Sequence, residues 1–334
     1  MPDEVTTKKT HLKKVAKVFL WIFVGVAILI TVFLGFGNIL KFANYHDFYF
    51  SSKVHGLNPI KNGYVNQGLH YLNDSNEFLI SAYKTNKPSV IYTVSSENKV
   101  NECSLMYTDF NYSSKELSCH AGGVTRVGNE VLLTGDNKVF FFNLNDVKNN
   151  RLAIAHKIVE TELRCDYISV CDNELFIGEF SSNTFSQRNH PYLNTDNYTT
   201  HAIVESFDLG EFCNTPDEEI AKAKAVYAIR DLAQGFAKTP EGQFIIDTSF
   251  GIMPSYLCNY TVPTIPDGLD ANSVPVYYLD SRYLLKERII IPGCEDIEVY
   301  DGRVYFASET PAFKFGYYGR FFNFNGIYSM PANV

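Results

Sequence analysis

The chain has 334 residues, 46% of them hydrophobic and 15% aromatic, with a single Trp and a formal charge of −8. That acidity argues against nucleic acid as a partner, because a polyanion is bound by a basic surface, and mildly favours cationic or metal ligands. The length suits one large domain or two small ones, and the scattered Gly, Asn and Asp read as short strands joined by tight turns rather than long helices.

Residues 1–17 form a basic tail in which Lys8, Lys9, Lys13, Lys14 and Lys17 outweigh Asp3 and Glu4 for a net of +3, leaving −11 on the remainder. Val18 to Leu40 follows, an uncharged apolar run that contains Trp21. A hydrocarbon core about 30 Å thick takes ~20 helical residues, so this run is long enough to span it. Lysines on one flank hold that flank in the cytoplasm. The expectation is a single-pass signal-anchor in the cell membrane, with a cytoplasmic N-terminus and residues 41–334 outside the cytoplasm. A cleaved signal peptide is the alternative, but the run exceeds a typical h-region and no small-x-small site follows it.

Beyond the anchor, five segments repeat one pattern: a polar residue or Gly, a short apolar strand, a turn, a strongly apolar strand, a gap and a third strand. They are QGLHYLNDSNEFLISAY with PSVIYTV, HAGGVTRVGNEVLLTG with KVFFFNL, CDYISVCDNELFIGEF with HAIVESFDL, QGFAKTPEGQFIIDTSF with PSYLCNY, and CEDIEVYDGRVYFASET with NGIYSM. Turn signals join the first two strands of each: Asn73-Asp74, Gly128-Asn129, Asp172-Asn173, Glu241-Gly242 and Asp301-Gly302. Fourth strands read as LAIAHKIV, KAVYAI and LLKERIII in the second, third and fourth units. Four antiparallel strands repeated about an axis make a β-propeller, here with five blades; a sixth blade would need another pair of inner strands. The last unit lacks an outer strand, and the spare apolar segment near Phe48 to Val54 is expected to supply it and close the ring. Ser181 to Thr200 and Met253 to Ser273 interrupt the period as insertions.

The seven cysteines are an odd number without CxxC spacing, so a cysteine zinc site is not expected. Cys165 and Cys171 bracket a strand and lie too far apart to bond, leaving Cys103 with Cys119 as the one plausible pair. Sequons at Asn73, Asn111, Asn197 and Asn259 are about as many as this composition produces by chance.

In a propeller the inner strands line a channel, so the residues at their starts converge. Here these are Gln67, His120, Asp166, Gln234 and Glu295. Asp136, Glu179, Asp247 and Glu309, at the ends of the second strands, approach the same rim. Several carboxylates in one mouth read either as a cation site or acid–base pair with His120, or as groups that tie neighbouring blades together. No GxSxG, HExxH, Walker or dinucleotide motif is present. Gly35-Phe36-Gly37 lies in the membrane run, and His201 reads as a loop-edge histidine.

The stretches Tyr64–Leu69, His120–Val124, Leu175–Phe180, His201–Val204, Gln234–Phe236, Asp247–Gly251 and Val276–Ser281, with the Glu295 and Glu309 strands, resemble a family of uncharacterised exported proteins common among Gram-positive bacteria. The resemblance spans Tyr64 to Met330 and implies a membrane segment followed by a propeller-like body, with no assigned reaction. Gly293-Cys294-Glu295-Asp296 stands where that family has Pro-Met-Ser-Glu-Glu, and Phe250 where it has Tyr.

Two functions follow. One is a membrane-tethered module binding a surface glycan, peptide or protein partner, with exposed aromatic side chains such as Phe185, Tyr192 and Tyr198 on the insertions. The other is a hydrolase or lactonase in which Asp166, Glu179 and Glu295 share a divalent cation such as calcium; no cofactor is otherwise indicated.

Overall fold

The computed structural model describes residues 3–60, 63–109, 112–182, 190–251, 253–315 and 324–333, and the chain divides into two units, Met1–Phe50 and Ser51–Val334. The first unit is dominated by helix α1 (Asp3–Asn44). Within it Lys14–Val32 is wholly unburied and, by length and composition, able to cross a membrane. Helix α2 (His46–Ser51) follows and takes up Phe48, which the sequence reading placed in a closing strand. Apolar runs this short fit a helical turn as well as a strand, and Asp47 in the first turn complements the helix dipole.

The second unit is an all-β propeller of five blades, entered through strand β1 (Lys53–Leu57). The first blade comprises β2 (Val65–Leu72), β3 (Glu77–Tyr83), β4 (Val90–Ser95) and β5 (Val100–Thr108), with a short β6 (Ser114–Glu116) on β5. The second is β7 (Val124–Val127), β8 (Glu130–Gly135) and β9 (Lys138–Asn143), then helix α3 (Leu144–Asn149), β10 (Leu152–Ala155) and β11 (Lys157–Glu160). The third holds β12 (Tyr167–Cys171), β13 (Glu174–Glu179), a hairpin of β14 (Tyr192–Leu193) and β15 (Thr199–Thr200), β16 (Ala202–Asp208), helix α4 (Leu209–Asn214) and β17 (Ala225–Ile229). The fourth runs β18 (Ala233–Lys238), β19 (Gln243–Thr248), β20 (Ser255–Thr261), the excursion β21 (Gly268–Leu269) and β22 (Pro275–Tyr278), and β23 (Leu284–Ile290). The fifth is β24 (Cys294–Tyr300), β25 (Arg303–Ser308) and β26 (Gly326–Pro331), with β1 antiparallel to β26 as its outer strand. The ring is therefore closed by a strand from before the first blade, as expected, a few residues later than the sequence suggested.

Each blade is buried on both faces, which explains why its central strands read as continuous apolar runs. In β3, Leu79 packs toward the second blade while Phe78, Ile80 and Ala82 pack toward the fifth. In β13, Leu175 and Ile177 face the second blade and Phe176 faces the fourth, where it meets Phe236 at 5.1 Å between ring centres. Four of the five turn signals carry a positive φ: Gly128, Asp172 and Gly242 have it, and Asp301 and Gly302 both do, the requirement of a type I′ turn; at Asn73-Asp74 the positive φ falls instead on Asn76 in a four-residue connection.

One strand reading is corrected. LAIAHKIV is two strands divided at His156: β10 lies parallel on β5 of the first blade, while β11 pairs with β9 of its own. Its first half alternates exposed and buried side chains, the pattern of a strip that covers a neighbouring edge. β22 does the same for β17, so the second insertion reaches back to the third blade. The suggested Cys103–Cys119 bond does not form, and all seven thiols are free. Cys103 Sγ faces the Asp146 carbonyl at 3.9 Å, whereas Cys119 Sγ lies 3.7 Å from Ser89 Oγ. Among the sequons, Asn259 is buried and donates to the Ala332 carbonyl at 2.8 Å, so the folded chain does not present it; Asn111 lies outside the described residues.

Candidate functional site

The inner strands contact one another in a closed cycle, β2 to β7 to β12 to β18 to β24 and back to β2. Five blades leave so narrow an axis that backbones touch. A Cβ on Gly68 would fall 2.4 Å from the Val124 nitrogen, and one on Gly122 would fall 2.2 Å from the Asp166 carbonyl oxygen. These glycines are a packing requirement of the axis.

At one end of this axis lies a cavity of about 340 Å³. Six of the nine residues singled out from the sequence line it: Gln67, His120, Asp166, Gln234, Glu295 and Glu309. Three are aimed by irregular pairing, since ladder shifts fall between Asn66 and Leu69, between Ala233 and Gly235, and between Glu295 and Glu298. The other three do not line it. Glu179 is buried behind, its Oε2 accepting from the Arg164 backbone at 2.9 Å and its Oε1 lying 3.0 Å from His190 Nε2. Asp247 is fully buried within the fourth blade with neither carboxyl oxygen hydrogen-bonded among the described residues, and burial drives its pKa well above the usual carboxylate range. Asp136 occupies a positive-φ turn and is likewise not part of the lining.

The lining polar groups form two sets. One is an arc across three blades. Gln234 Nε2 donates to Glu295 Oε1 at 3.3 Å, Glu295 is hydrogen-bonded to Glu309, and Glu309 Oε2 accepts from Gln67 Nε2 at 3.4 Å. Lys314 Nζ lies 2.8 Å from the same Glu309 oxygen. Burial first, and the Glu309 charge second, hold the Glu295 carboxyl well above its ordinary range. The pair thus keeps one proton and carries one negative charge, which Lys314 meets. The second set is Arg164 Nε at 3.4 Å from Asp166 Oδ1, with Asp166 Oδ2 accepting from the Phe180 backbone at 2.8 Å.

His120 sits between the two, its ring 4.4 Å from that of Tyr83. Burial, reinforced by the positive Arg164 and Lys314, lowers its pKa to about 4, so it is neutral at physiological pH. Its Nδ1 is buried with no hydrogen-bond partner among the described residues. The remaining lining is apolar or small: Phe180, Phe250, Gly251 and Phe315. Sequence reasoning missed Arg164, Lys314 and the three phenylalanines. Arg164 and Phe180 each stand next to or near a flagged carboxylate, which was a usable signal; Lys314 comes from a single 3-10 turn (Phe313–Phe315) past the last inner hairpin and gave none.

The expectation that Asp166, Glu179 and Glu295 share one ion is not met. Each carboxylate is engaged separately, and among the described residues no group of three or more His, Cys, Asp or Glu is placed to hold a metal.

A second cavity, of about 360 Å³, lies where the first insertion meets the segment between β22 and β23. Asp280 accepts from Thr195 Oγ1 at 2.7 Å and Arg282 Nε at 2.8 Å, and the Ser281 backbone donates to Asp196 at 2.9 Å. These polar groups are thus spent on holding the first insertion to that segment. Tyr198 and Leu193 are exposed here, Tyr192 is half-buried against Tyr278, and Phe185 lies outside the described residues.

Glu205, in β16 behind Glu179, has its pKa raised from about 4.5 to about 7 by burial and then by Glu162 and Glu179. A raised acid binds its proton more tightly in the fold, so its contribution is present below pH 4.5 and lost as pH rises through about 7. Glu205→Gln is expected to flatten that dependence. Denaturant unfolding at pH 5 and pH 8 should show the variant gaining about 2–3 kcal/mol on the wild type between the two. Parallel profiles would refute the assignment.

The fold and site define a five-bladed propeller with an electroneutral, phenylalanine-lined mouth, preceded by one long apolar helix. No protein-family model and no curated protein matches the chain. Among solved structures it is similar to BamB from Moraxella catarrhalis (8% identity, TM-score 0.32, 83% of this chain and 84% of that one). It is also similar to a chain of a mitotic checkpoint complex (6%, 0.39, 81% and 76%). A third likeness is to a putative oxidoreductase, glucose dehydrogenase, from Thermus thermophilus (13%, 0.41, 78% and 94%). At such identities and TM-scores the likeness bears on neither ligand nor activity.

Proposed function

We propose that this chain is a membrane-tethered binding module that takes a ligand or partner at the mouth of its propeller channel. The observation that carries this is the state of the mouth's charges: the Glu295–Glu309 pair is met by Lys314, and Asp166 by Arg164. Among the described residues that line the mouth, no carboxylate is left as a lone base and none is grouped to hold an ion, so the binding reading is favoured over the hydrolase one. The lysine-flanked apolar run supports a tether with the propeller outside the cytoplasm.

Native mass spectrometry of the full chain in nanodiscs, incubated with cell-envelope extract, tests this. Wild type should retain a discrete adduct, and a Gln234→Ala/Phe250→Ala variant with an unchanged melting curve should lose it. No adduct, or the same adduct on both proteins, would overturn the proposal.

A further inference from the structure

The lining of the mouth says what chemistry it would accept. Among the described residues its charges are balanced and already paired within the protein, so a free anion would face Asp166 and the Glu295–Glu309 pair, and a free cation would face Arg164 and Lys314. Either would have to break an existing pair at a cost in desolvation. Donors and acceptors share the rim, with two amides, two basic groups and carboxyl oxygens within one cavity. A hydroxyl group both donates and accepts, and so can bridge such neighbours without displacing them.

His120 adds an independent constraint. It is neutral, and its Nδ1, buried in the lining, has no partner among the described residues. Nδ1 is a donor in one tautomer and an acceptor in the other, and a hydroxyl satisfies both. Phe180, Phe250 and Phe315 supply apolar faces against which the C–H side of a ring can lie. At about 340 Å³ the cavity is near the small end of ligand sites.

We infer that the mouth binds a neutral polyhydroxylated ring, a single saccharide unit seated between the phenylalanines with hydroxyls on His120, Gln67 and Gln234. This rests on the mouth being the binding site. The unit is either a free sugar or the terminal residue of a glycan.

The test is saturation-transfer NMR and calorimetry on the full chain in nanodiscs. The probes are glucose, galactose, N-acetylglucosamine and N-acetylgalactosamine as mono- and disaccharides, with lysine, inorganic phosphate and calcium as charged probes. At least one neutral sugar should bind, and Phe250→Ala and His120→Ala should each weaken it tenfold or more. Phe315→Ala serves where either does not fold. Equal affinity for mono- and disaccharide supports a free sugar, and binding of the disaccharide alone supports a glycan end. Should only a charged probe bind, with the mouth variants abolishing it, the saccharide class is overturned and the mouth stands. Sugar binding unaffected by any mouth variant overturns both.

Discussion

Gly122→Ala is expected to destabilise the propeller by about 3–5 kcal/mol, among the largest effects of any single methyl group in the chain. The added Cβ would lie 2.2 Å from the carbonyl oxygen and 2.7 Å from the carbonyl carbon of Asp166, both backbone atoms that cannot swing away. Relief requires the second and third blades to separate at the axis. Gly268→Ala is the control: its Cβ would meet nothing within 4 Å, and a shift within about 0.5 kcal/mol is expected. Denaturant midpoints of the two variants in the full chain decide the matter. If Gly122→Ala unfolds at the control's midpoint, the inner strands do not touch as described. A functional consequence accompanies the structural one, because Asp166 holds the Phe180 backbone and Arg164 at the mouth. A surviving Gly122→Ala fold should therefore bind ligand more weakly than its stability alone explains.

The same geometry accounts for what was legible in the sequence. Strands and hairpins showed because apolar runs and turn pairs such as Asp301-Gly302 obey local rules, and both residues of that pair adopt positive φ. Gln67, His120, Asp166, Gln234 and Glu295 could be grouped without any motif, since a ring brings the same position of every repeat to one place. Glu309 was placed correctly, whereas Glu179 and Asp247 at corresponding positions were not. A side chain at a strand end faces the mouth or the blade interior according to a register that alternates with every residue, and no local signal fixes it. Asp247 stands opposite Gly235 and Leu257 and points into packed neighbours, so burial, not the channel, determines its state. LAIAHKIV failed for a different reason: its division between two blades is settled by an uncovered edge on β5, a feature of the assembled ring. Lys314 was invisible because its importance comes from Glu309, five residues earlier and reached only through a short turn.

A chain beginning at Ser51 is expected to keep the propeller's cooperative unfolding, whereas one beginning at Pro59 should lose about 4–6 kcal/mol and self-associate. The difference is β1. Its pairing with β26 runs from Lys53 opposite Ser329 to Leu57 opposite Gly326. Side chains reinforce the ladder: His55 Nε2 and Arg303 Nε both lie 2.7 Å from Ser329 Oγ, and the Leu57 nitrogen donates to Asn98 Oδ1 at 2.7 Å. Asn58 adds a bond to the Ser308 carbonyl at 2.9 Å. At about 1 kcal/mol for each net hydrogen bond, several losses together reach the stated range before any apolar exposure. The freed edge of β26 is then a template for a second chain. Denaturant midpoints and sedimentation velocity of the two truncations give the answer, and equal stability with both monomeric would show that the ring does not need this strand. The position of β1 in the chain gives the result a wider meaning. Only Tyr45, α2 and Ser52 separate the apolar helix from the strand that closes the ring. A cut between Asn44 and Ser51 would release a closed propeller, while a cut a few residues later, past Leu57, would open it.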